Sequence, residues 1–439
     1  MDRNNLIQTA LNSAWHKQTA EASLDRWLQI CDQEKWGEIP ENIGALIAIF
    51  GASWYFTRFI FYRGRKSAQL IDTPDLEKFD EETLSRFLSQ ATQAEDQEHQ
   101  FEWLRSLKNQ AMLQILLRRL SAQDNLDENE SNLTRLATAT LTVAMQIAGL
   151  DLQRADCQIA VLGMGRIAGY EMNYGSDLDL IFLYEDSTEE FRTFFSDKVR
   201  YLLRNMSLLS ASGVLYDIDM RLRPHGTSGS LVTSVNSFQA YHQGKREIWE
   251  RQMMTRCRPI VDHHDQGQHA MQQIRKQIYR ESYDSTLSME ILLMRKRVED
   301  ELGSRKGKYD IKRGRGGIMD IDFLTHFLQL KHGYECPDLQ IMSTREVLKL
   351  LAVHKFVSTE DATQLLIAYD FFKNIEACLR LFDLKSVNSF AKILNDGNAL
   401  VRAMNYQSTD AATRFIIDYR EKSDFVHKMF VDTLNEIDN

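Results

Sequence analysis

Proline is scarce in this sequence. Only 5 of the 439 residues are proline, about a quarter of the roughly 5% share in ordinary globular proteins. Glycine is modest at 21 residues, and because proline interrupts helix interiors, such a chain can form long helices. The 43% hydrophobic and 26% charged residues match globular usage and exclude wholesale disorder. The length predicts about two or three domains, with helices dominant.

Cysteine is also sparse, and none of the 5 cysteines belongs to a Cys-x-x-Cys pair. An odd number of widely spaced cysteines argues against a disulfide framework or a zinc ribbon. The first residues, Met1-Asp2-Arg3-Asn4-Asn5, do not open an apolar signal segment. We therefore expect a cytoplasmic protein. The cysteines are Cys31, Cys157, Cys257, Cys336 and Cys378.

Positive charge is not in excess. The chain carries 53 Lys and Arg against 62 Asp and Glu, for a formal net charge of −9. A general nucleic-acid binder would show a basic footprint, so we expect no nucleic-acid partner. A nucleotide site remains compatible with this composition because it needs only local positive charge.

One long apolar run, Ile43–Tyr62, contains a single charge, Arg58. A membrane-spanning helix needs roughly 20 apolar residues, so the length alone would suit a membrane span. Gly51-Ala52-Ser53 in the middle of the run is a plausible turn. We therefore predict a buried helix–turn–helix and no membrane contact.

The hydrophobic period changes along the chain and predicts an α+β, mostly helical fold. Helical spacing up to about residue 150 gives way to short strand-like runs, and helical spacing returns after about residue 269. The expected architecture is an α/β core flanked by an N-terminal helical region and a C-terminal helical bundle. The predicted domains are residues 1–130, 131–265 and 266–439. The predicted strands are Gln158–Leu162, Asp177–Tyr184, Val214–Leu222 and Ser230–Thr233, with a helix at Phe191–Ser210.

Two aspartates begin the second predicted strand. Asp177 and Asp179 are two positions apart, so on a strand they point to the same face about 6.6 Å apart. Carboxylates at this spacing can share a hard divalent cation such as magnesium, which favours oxygen ligands and keeps waters and substrate phosphates. Ser176, immediately before the pair, is a candidate phosphate contact.

A glycine-rich segment follows the first predicted strand. It contains Gly163, Gly165, Arg166 and Gly169, and glycine allows backbone N–H groups to approach a phosphate closely. The segment lacks the Gly-Lys-Ser/Thr ending of a P-loop, and no acidic residue follows at dinucleotide-binding spacing. It is therefore a candidate phosphate-binding loop of no particular class.

The third predicted strand carries alternating charges. Period-two alternation places Asp217, Asp219, Arg221 and Arg223 on one face. If this strand lies beside the Asp177 strand, Asp219 completes a triad of carboxylates, which would be costly to bury without a cation. The two arginines would then extend the site towards a polyphosphate, since a guanidinium suits bidentate contact.

These motifs together resemble a known family. Gly-x-Gly-Arg-x-x-Gly at 163–169, Ser-Asp-Leu-Asp-Leu-Ile-Phe at 176–182 and Asp-x-Arg-Leu-Arg-Pro at 219–224 look like the nucleotidyltransferase module of the bacterial glutamine synthetase adenylyltransferase/adenylyl-removing enzyme. Asp-x-Asp is common to the whole polymerase-β-like superfamily, whereas Trp-Glu-Arg-Gln at 249–252 and the stretch 311–323 are narrower matches. The resemblance implies a polymerase-β-like nucleotidyltransferase core and extends from about Ile49 into the C-terminal helices.

The resemblance implies an activity with several alternatives. The family enzyme normally carries two such modules, one transferring AMP from ATP to a tyrosine of glutamine synthetase and one removing it by phosphorolysis, and this chain has one. Asp217, Gln252, residues 229–234 and residues 320–323 look more like the transferring half. The alternatives are the deadenylylating enzyme and a non-catalytic module that docks glutamine synthetase or a PII-type signal protein. A different acceptor, such as an antibiotic or an RNA end, is a further possibility within the superfamily.

The resemblance also implies roles for individual residues. Asp177, Asp179 and Asp219 would be catalytic and would hold two magnesium ions. Asp177 and Asp179 would hold magnesium on the triphosphate of ATP, and Asp219 would share the second ion. The nucleotide contacts would come from the glycine-rich segment, the serine before the aspartates, two arginines and a distant lysine. Those residues are Gly163, Gly165, Arg166, Gly169, Ser176, Arg221, Arg223 and Lys312.

Two departures from the family pattern matter. The usual Gly-Lys-Leu-Gly-Gly is here Gly165-Arg166-Ile167-Ala168-Gly169, which keeps the positive charge but replaces one glycine by alanine. Close backbone approach to a phosphate is therefore in doubt at Ala168. Asp322 stands where the family more often has glutamate, so the same charge sits on a shorter side chain.

Overall fold

A computed structural model describes residues 3–34, 40–74, 76–150, 159–185, 188–244, 247–262, 264–280, 286–303, 309–384, 387–390 and 398–435. Helices account for most of these residues and a small mixed sheet for the rest of the regular structure. The predicted fold class, α+β and mostly helical, is confirmed.

Eight helices precede the sheet in the described part of the chain. The predicted helix–turn–helix is confirmed: Ser53 ends one helix, and its hydroxyl accepts a hydrogen bond from the Phe56 N–H at the start of the next. None of the helices in the described ranges combines the length and apolarity needed to cross a bilayer. The helices are α1 (Arg3–Ser13), α2 (Lys17–Gln33), α3 (Ile43–Ala52), α4 (Trp54–Arg63), α5 (Arg65–Asp72), α6 (Glu81–Leu88), α7 (Gln97–Leu120) and α8 (Leu126–Ile147).

Helix α7 is the central helix of the N-terminal half. Every residue from Leu104 to Leu116 is buried, which a helix surrounded by others requires. Helix α8 begins with a capping box, in which Asn125 and Glu128 satisfy each other's backbone N–H groups. The boundary predicted between residues 130 and 131 falls inside α8, and the three-domain division stays a prediction.

Five strands form one mixed sheet, β1 (Ile159–Met164), β2 (Leu178–Tyr184), β3 (Ile218–Asp219), β4 (Val232–Ser234) and β5 (Cys257–Asp262), with helix α9 (Glu189–Ser207) between β2 and β3. The order is β3-β2-β1-β5, and β4 also pairs with β2. Strand β1 is antiparallel to β2 and β5, whereas β3 and β4 run parallel to β2. The first two predicted strands and the helix between β2 and β3 are confirmed, although residue 158 lies outside the described ranges.

The third predicted strand, Val214–Leu222, is wrong in extent because only Ile218–Asp219 is extended in a ladder. Turns flank it on both sides: Ser210 pairs with Gly213, and the Gly226 N–H donates to the Arg223 carbonyl at 2.8 Å. The fourth, Ser230–Thr233, is present but shifted to Val232–Ser234. Strand β5 was not predicted, because its charged residues and its proline are not typical of a strand. Its position at the edge of the sheet accepts the proline.

The sheet separates two hydrophobic cores. Leu178, Leu180 and Phe182 pack with the N-terminal helices, whereas Ile181 and Leu183 pack with the helices that follow the sheet. Because successive strand residues face opposite sides, Asp179 points towards the second core. The α-helices that follow β4 and contribute to this second core are α10 (Val235–Gln243), α11 (Ile248–Met254), α12 (Gln266–Ile278), α13 (Leu287–Val298), α14 (Ile318–His332), α15 (Thr344–Val353), α16 (Thr359–Asp383), α17 (Ala399–Ala403) and α18 (Ala411–Asn435).

Candidate active site

Three aspartates meet at one end of β2 and β3. Asp179 lies directly opposite Asp219 in the parallel ladder. The Leu178 N–H donates to the Asp217 carbonyl at 2.8 Å, which fixes the start of this pairing. Asp177 immediately precedes β2 and is exposed, whereas Asp179 and Asp219 are half-buried. The structure therefore brings the predicted triad to one strand edge.

The three carboxylates have different electrostatic surroundings. Burial, and then the negative charges of Asp219 and Asp177, raise the pKa of Asp179 to about 6. Hydrogen bonds from Arg221 hold the pKa of Asp219 below its usual range. The Arg221 Nε lies 2.8 and 3.0 Å from the two Asp219 carboxylate oxygens, so this arginine contacts a carboxylate at the site.

The donor set at this strand edge can be compared with what a divalent cation requires. Within the described ranges, no three His, Cys, Asp or Glu side chains are grouped so as to hold an ion as they stand. Asp219 is engaged with Arg221 in this conformation. The donor chemistry does suit magnesium, because three carboxylates lie at one strand edge, and burial together with the charges of Asp219 and Asp177 disfavours an uncompensated charge on Asp179.

The glycine-rich segment is packed closely into the protein. The Gly165 N–H donates to the Arg256 carbonyl at 2.9 Å, and the Gly169 N–H donates to the Gly165 carbonyl at 3.1 Å. Gly165 has a φ of +59°, and a β-carbon there would lie 3.3 Å from Asp179 Oδ2. A β-carbon at Gly169 would collide with the Arg256 guanidinium, and one at Gly163 with a β5 side chain. The N–H groups of Gly165 and Gly169 are therefore already hydrogen-bonded within the protein. The absence of a side chain at these two glycines lets the loop pack closely against Asp179 and Arg256.

Arg166, at the tip of this loop, is held by a helix from the C-terminal half. Its guanidinium forms an ion pair with the buried Glu376 of α16 at 2.6 Å. The charge of Glu376 overcomes the effect of burial and raises the pKa of Arg166. The second terminal nitrogen of Arg166 is buried without a hydrogen-bond partner among the described residues. Arg166 therefore keeps one unpartnered donor, and the residue lines the cavity described below.

Lys312 lies on the turn before α14. The Asp310 carboxylate accepts hydrogen bonds from the backbone N–H of Lys312 at 3.0 Å and of Arg313 at 2.9 Å, which orders this turn. The positive charge of Arg166, and then burial, lower the pKa of Lys312 to about 8. No salt bridge to the Lys312 ammonium is found in the ranges that the structure describes. It is a poorly compensated cation close to Asp179.

Two other predicted nucleotide contacts are engaged with the protein. The buried Ser176 hydroxyl accepts hydrogen bonds from the Asn173 N–H at 3.1 Å and from Arg380 at 3.0 Å. Arg223 donates to the Met220 carbonyl at 2.7 Å and to the Ser230 carbonyl at 3.0 Å. The structure thus places Arg223 within its own turn, away from the aspartates, whereas Ser176 lies next to them.

A cavity of about 340 Å³, which we call the active-site cavity, opens beside Asp179. One part of its lining is charged and comes from the glycine-rich loop, β2 and the turn before α14. Another part is apolar and comes from α11, α13 and α14. The charged lining includes Arg166, Asp179 and Lys312, and the apolar lining includes Trp249, Met253, Met294, Met319 and Phe323.

A buried ionic network that contributes to the wall of this cavity was not foreseen from the sequence. Glu171 accepts hydrogen bonds from Arg256 and from the Tyr369 hydroxyl, the latter at 2.7 Å. Lys373 forms an ion pair with Glu130 at 2.8 Å. These residues are far apart in the chain and follow no motif. The one local signal available was the spacing of charged residues along the face of α16.

Two family models match separate parts of the chain. Residues 43–273 match the model described as glutamate-ammonia ligase adenylyltransferase. This match covers more than half of the residues, and the chain belongs to that family. Residues 292–434 match the model described as GlnD PII-uridylyltransferase.

Relatives from three bacteria carry the name bifunctional glutamine synthetase adenylyltransferase/adenylyl-removing enzyme. The Chromobacterium violaceum protein is 29% identical over 357 residues, which are 80% of this chain and 40% of the relative. The Nitrosomonas europaea protein is 30% identical over 319 residues, 72% of this chain and 34% of the relative. The Burkholderia mallei protein is 29% identical over 362 residues, which are 78% of this chain and 38% of the relative. The matched part of the chain thus spans only about a third to two-fifths of these relatives.

Proposed function

We propose that this protein is a magnesium-dependent nucleotidyltransferase that moves AMP from ATP to a tyrosine of glutamine synthetase. One observation carries the proposal: three carboxylates meet at one strand edge, and one of them, Asp179, lines a cavity together with the cations Arg166 and Lys312. One nitrogen of Arg166 has no hydrogen-bond partner among the described residues. Names of the relatives support this acceptor. A cytoplasmic location forms part of the proposal.

The two kinds of lining in the active-site cavity fit the two halves of ATP. We place the triphosphate against Lys312 and the unpartnered nitrogen of Arg166, because cationic donors with hydrogen-bonding capacity left over favour phosphate oxygens. We place the adenine against Trp249, Met253 and Phe323, which offer apolar surface.

Two buried polar atoms in the same cavity suit the edge of a purine. The Gln252 Oε1 and the His326 Nε2 have no hydrogen-bond partner among the described residues. Burial, and then the charge of Arg256, lower the pKa of His326 to about 3, so its ring is neutral and one nitrogen can accept while the other donates. An amide oxygen and a neutral imidazole together could pair with an exocyclic amine and a ring nitrogen.

Asp177, Asp179 and Asp219 are the residues that would hold two magnesium ions. Bound there, magnesium would neutralise triphosphate charge and lower the pKa of the attacking hydroxyl. Asp219 must first exchange its contact with Arg221 for this role, and Arg221 would then be released close to the phosphates. The protein otherwise contributes by positioning and by charge already in place.

In the proposed reaction the tyrosine oxygen forms a bond to the α-phosphorus of ATP. The bond from that phosphorus to the oxygen bridging to the β-phosphate breaks, pyrophosphate leaves with the electron pair, and the phenol proton passes to water. The names of the relatives include an adenylyl-removing activity, so removal by phosphate is the second candidate at the same aspartates. A phosphate oxygen would form a bond to the phosphorus of tyrosyl-AMP, the bond from that phosphorus to the tyrosine oxygen would break, and ADP and the protonated tyrosine would be the products.

A PII-type signal protein is a further partner in the proposal. The match of residues 292–434 to a PII-uridylyltransferase model supports it. Helices in that range reach the site directly, since α16 supplies Glu376 to Arg166 and α14 supplies Asp322 to Arg256. Binding of a regulator to these helices could thus change the loop that carries Arg166.

The test is the intact mass of glutamine synthetase after incubation with this protein, ATP and magnesium. We expect each synthetase subunit to gain one AMP, and Asp177→Asn to reduce the rate by on the order of 100-fold or more. Asp197→Asn is the matched control, because this aspartate of α9 is exposed and forms its ion pair with the neighbouring surface residue Arg200. If the synthetase gains no mass, the protein is next incubated with adenylylated synthetase and phosphate, and a loss of AMP from the synthetase mass would show removal. A wild-type protein inactive in both assays would contradict the proposal and favour a non-catalytic docking module.

A further inference from the structure

A second cavity, of about 300 Å³, opens at the same strand edge; we call it the Asp177 cavity. It shares no lining residue with the active-site cavity. Asp179 lines the active-site cavity and Asp177 lines the second one, so this pair of aspartates contributes one residue to each cavity. Residues from α4, α7, α8 and the segment 209–217 complete its walls.

This arrangement matches what an in-line displacement requires. The attacking oxygen and the leaving pyrophosphate must lie on opposite sides of the α-phosphorus. With the triphosphate held at Arg166 and Lys312 in the active-site cavity, the acceptor must approach from elsewhere along the aspartate edge. The Asp177 cavity supplies such an approach.

The lining of the Asp177 cavity suits a hydroxylated aromatic ring. Its walls are largely apolar, and one end carries Ser176 and Asp177. Asn173 lines this space and is only 3% exposed, and its amide nitrogen has no hydrogen-bond partner within the described ranges. A buried donor of this kind favours a ligand with an acceptor oxygen. The apolar residues of the lining include Met112, Leu133, Met172, Leu215 and Leu384.

The rim of the Asp177 cavity is exposed and apolar. Leu209 is 76% exposed and lines the cavity, while its neighbour Leu208 is 46% exposed. A shallow groove of about 160 Å³ continues from the rim, shares Tyr55, Leu209 and Gly213 with the cavity, and reaches the 65% exposed Tyr62. Contiguous exposed apolar surface of this kind marks a site of macromolecular contact.

We propose that the Asp177 cavity is the acceptor site, where the tyrosine of the protein substrate inserts its ring while the flanking segment packs on Leu208, Leu209 and Tyr62. The inference rests on the proposed function and deepens it by locating the second substrate. In the proposed acceptor site, the segment 208–217 is the part of the chain that recognises the acceptor.

The test distinguishes a loss of acceptor recognition from a loss of ATP binding. Leu209→Glu places a charge on the apolar rim, and Val214→Phe fills part of the cavity from a half-buried position. For each we expect kcat/KM for glutamine synthetase to fall by about tenfold or more, while the Kd for ATP, measured by calorimetry, stays within about twofold of the wild type. Val353→Glu is the matched control, since Val353 is 71% exposed and lines neither of the two cavities nor the groove.

Each outcome decides the inference. Normal kcat/KM for the synthetase in both variants would overturn it and leave the proposed function intact. An equal loss in Val353→Glu, or a loss of ATP affinity matching the loss of transfer, would also overturn it. A wild-type protein that binds ATP but neither adds nor removes AMP would contradict the proposed function, and the acceptor site with it.

Discussion

At the scale of single residues, Lys312 is the cation whose role is easiest to test. Its pKa is lowered to about 8, first by Arg166 and then by burial, so the ammonium is charged below that pH and neutral above it. ATP affinity should therefore be highest below about pH 8 and should fall as the pH rises through this value. Calorimetric titration of ATP from about pH 7 to 9 would show the Kd rising several-fold.

Substitutions of the same residue separate charge from shape. We expect Lys312→Met to weaken ATP binding by about tenfold, and Lys312→Arg to keep most of the affinity while losing the pH dependence, because arginine stays charged. Lys349→Met, at an exposed lysine of α15, is the control. Wild-type affinity and an unchanged pH profile in Lys312→Met would contradict the position given to the triphosphate.

At the scale of elements, the turn before α14 depends on one glycine. Gly316 has a φ of +68°, and a β-carbon there would collide with the Ser423 backbone of α18. Gly316→Ala should lower the free energy of unfolding by about 2 kcal/mol or more, measured by urea denaturation. Gly44→Ala in α3 is the control, since nothing lies closer than 3.9 Å to its added carbon and alanine favours a helix. Equal stability of the two variants would contradict this account of the turn.

Helix α16 carries the ionic face that holds the glycine-rich loop. Glu376 pairs there with Arg166 at 2.6 Å and Arg380 at 3.2 Å. Although burial opposes ionisation, these charges hold the pKa of Glu376 well below its usual range. Glu376→Gln leaves buried cations without a partner and should cost about 3–5 kcal/mol of stability, seen as a lower Tm.

The pH dependence of that loss has a definite sign. Because the folded-state pKa of Glu376 is depressed, its contribution is present above the unfolded value of about 4.3 and is lost only as the pH falls through the folded value. The Tm difference between wild type and Glu376→Gln should therefore hold constant at neutral pH and shrink in strong acid. Glu421→Gln, exposed on α18, should leave Tm nearly unchanged.

The same elements show how far the sequence could lead. Period and spacing predicted β1 and β2, because local patterns decide which residues form a strand. The carboxylate triad was predicted only on the condition that the strand of Asp219 lies beside β2, and the structure meets that condition. Strand β5 could not be predicted, since its pairing with β1 is a tertiary contact that tolerates Arg258 and Pro259. Likewise, Arg223 follows the alternation of a strand but turns back to its own backbone. Contacts between distant segments, such as Arg166 with Glu376, leave no local pattern.

At the scale of the whole molecule, the sheet lies between two helical cores, and each core meets one side of the aspartate edge. The C-terminal helices line the active-site cavity, whereas α4, α7 and α8 line the Asp177 cavity. Donor and acceptor would thus be recognised by different halves of the chain. A regulator bound to either half could act on one substrate without blocking the other.

The most direct measurement of the central claim is label transfer to glutamine synthetase from ATP carrying radioactive phosphorus at either the α or the γ position. The account predicts α-label on a synthetase tyrosine, γ-label in pyrophosphate, and loss of both in Asp179→Asn. Label from the γ position on the synthetase, or undiminished α-label transfer by Asp179→Asn, would contradict it.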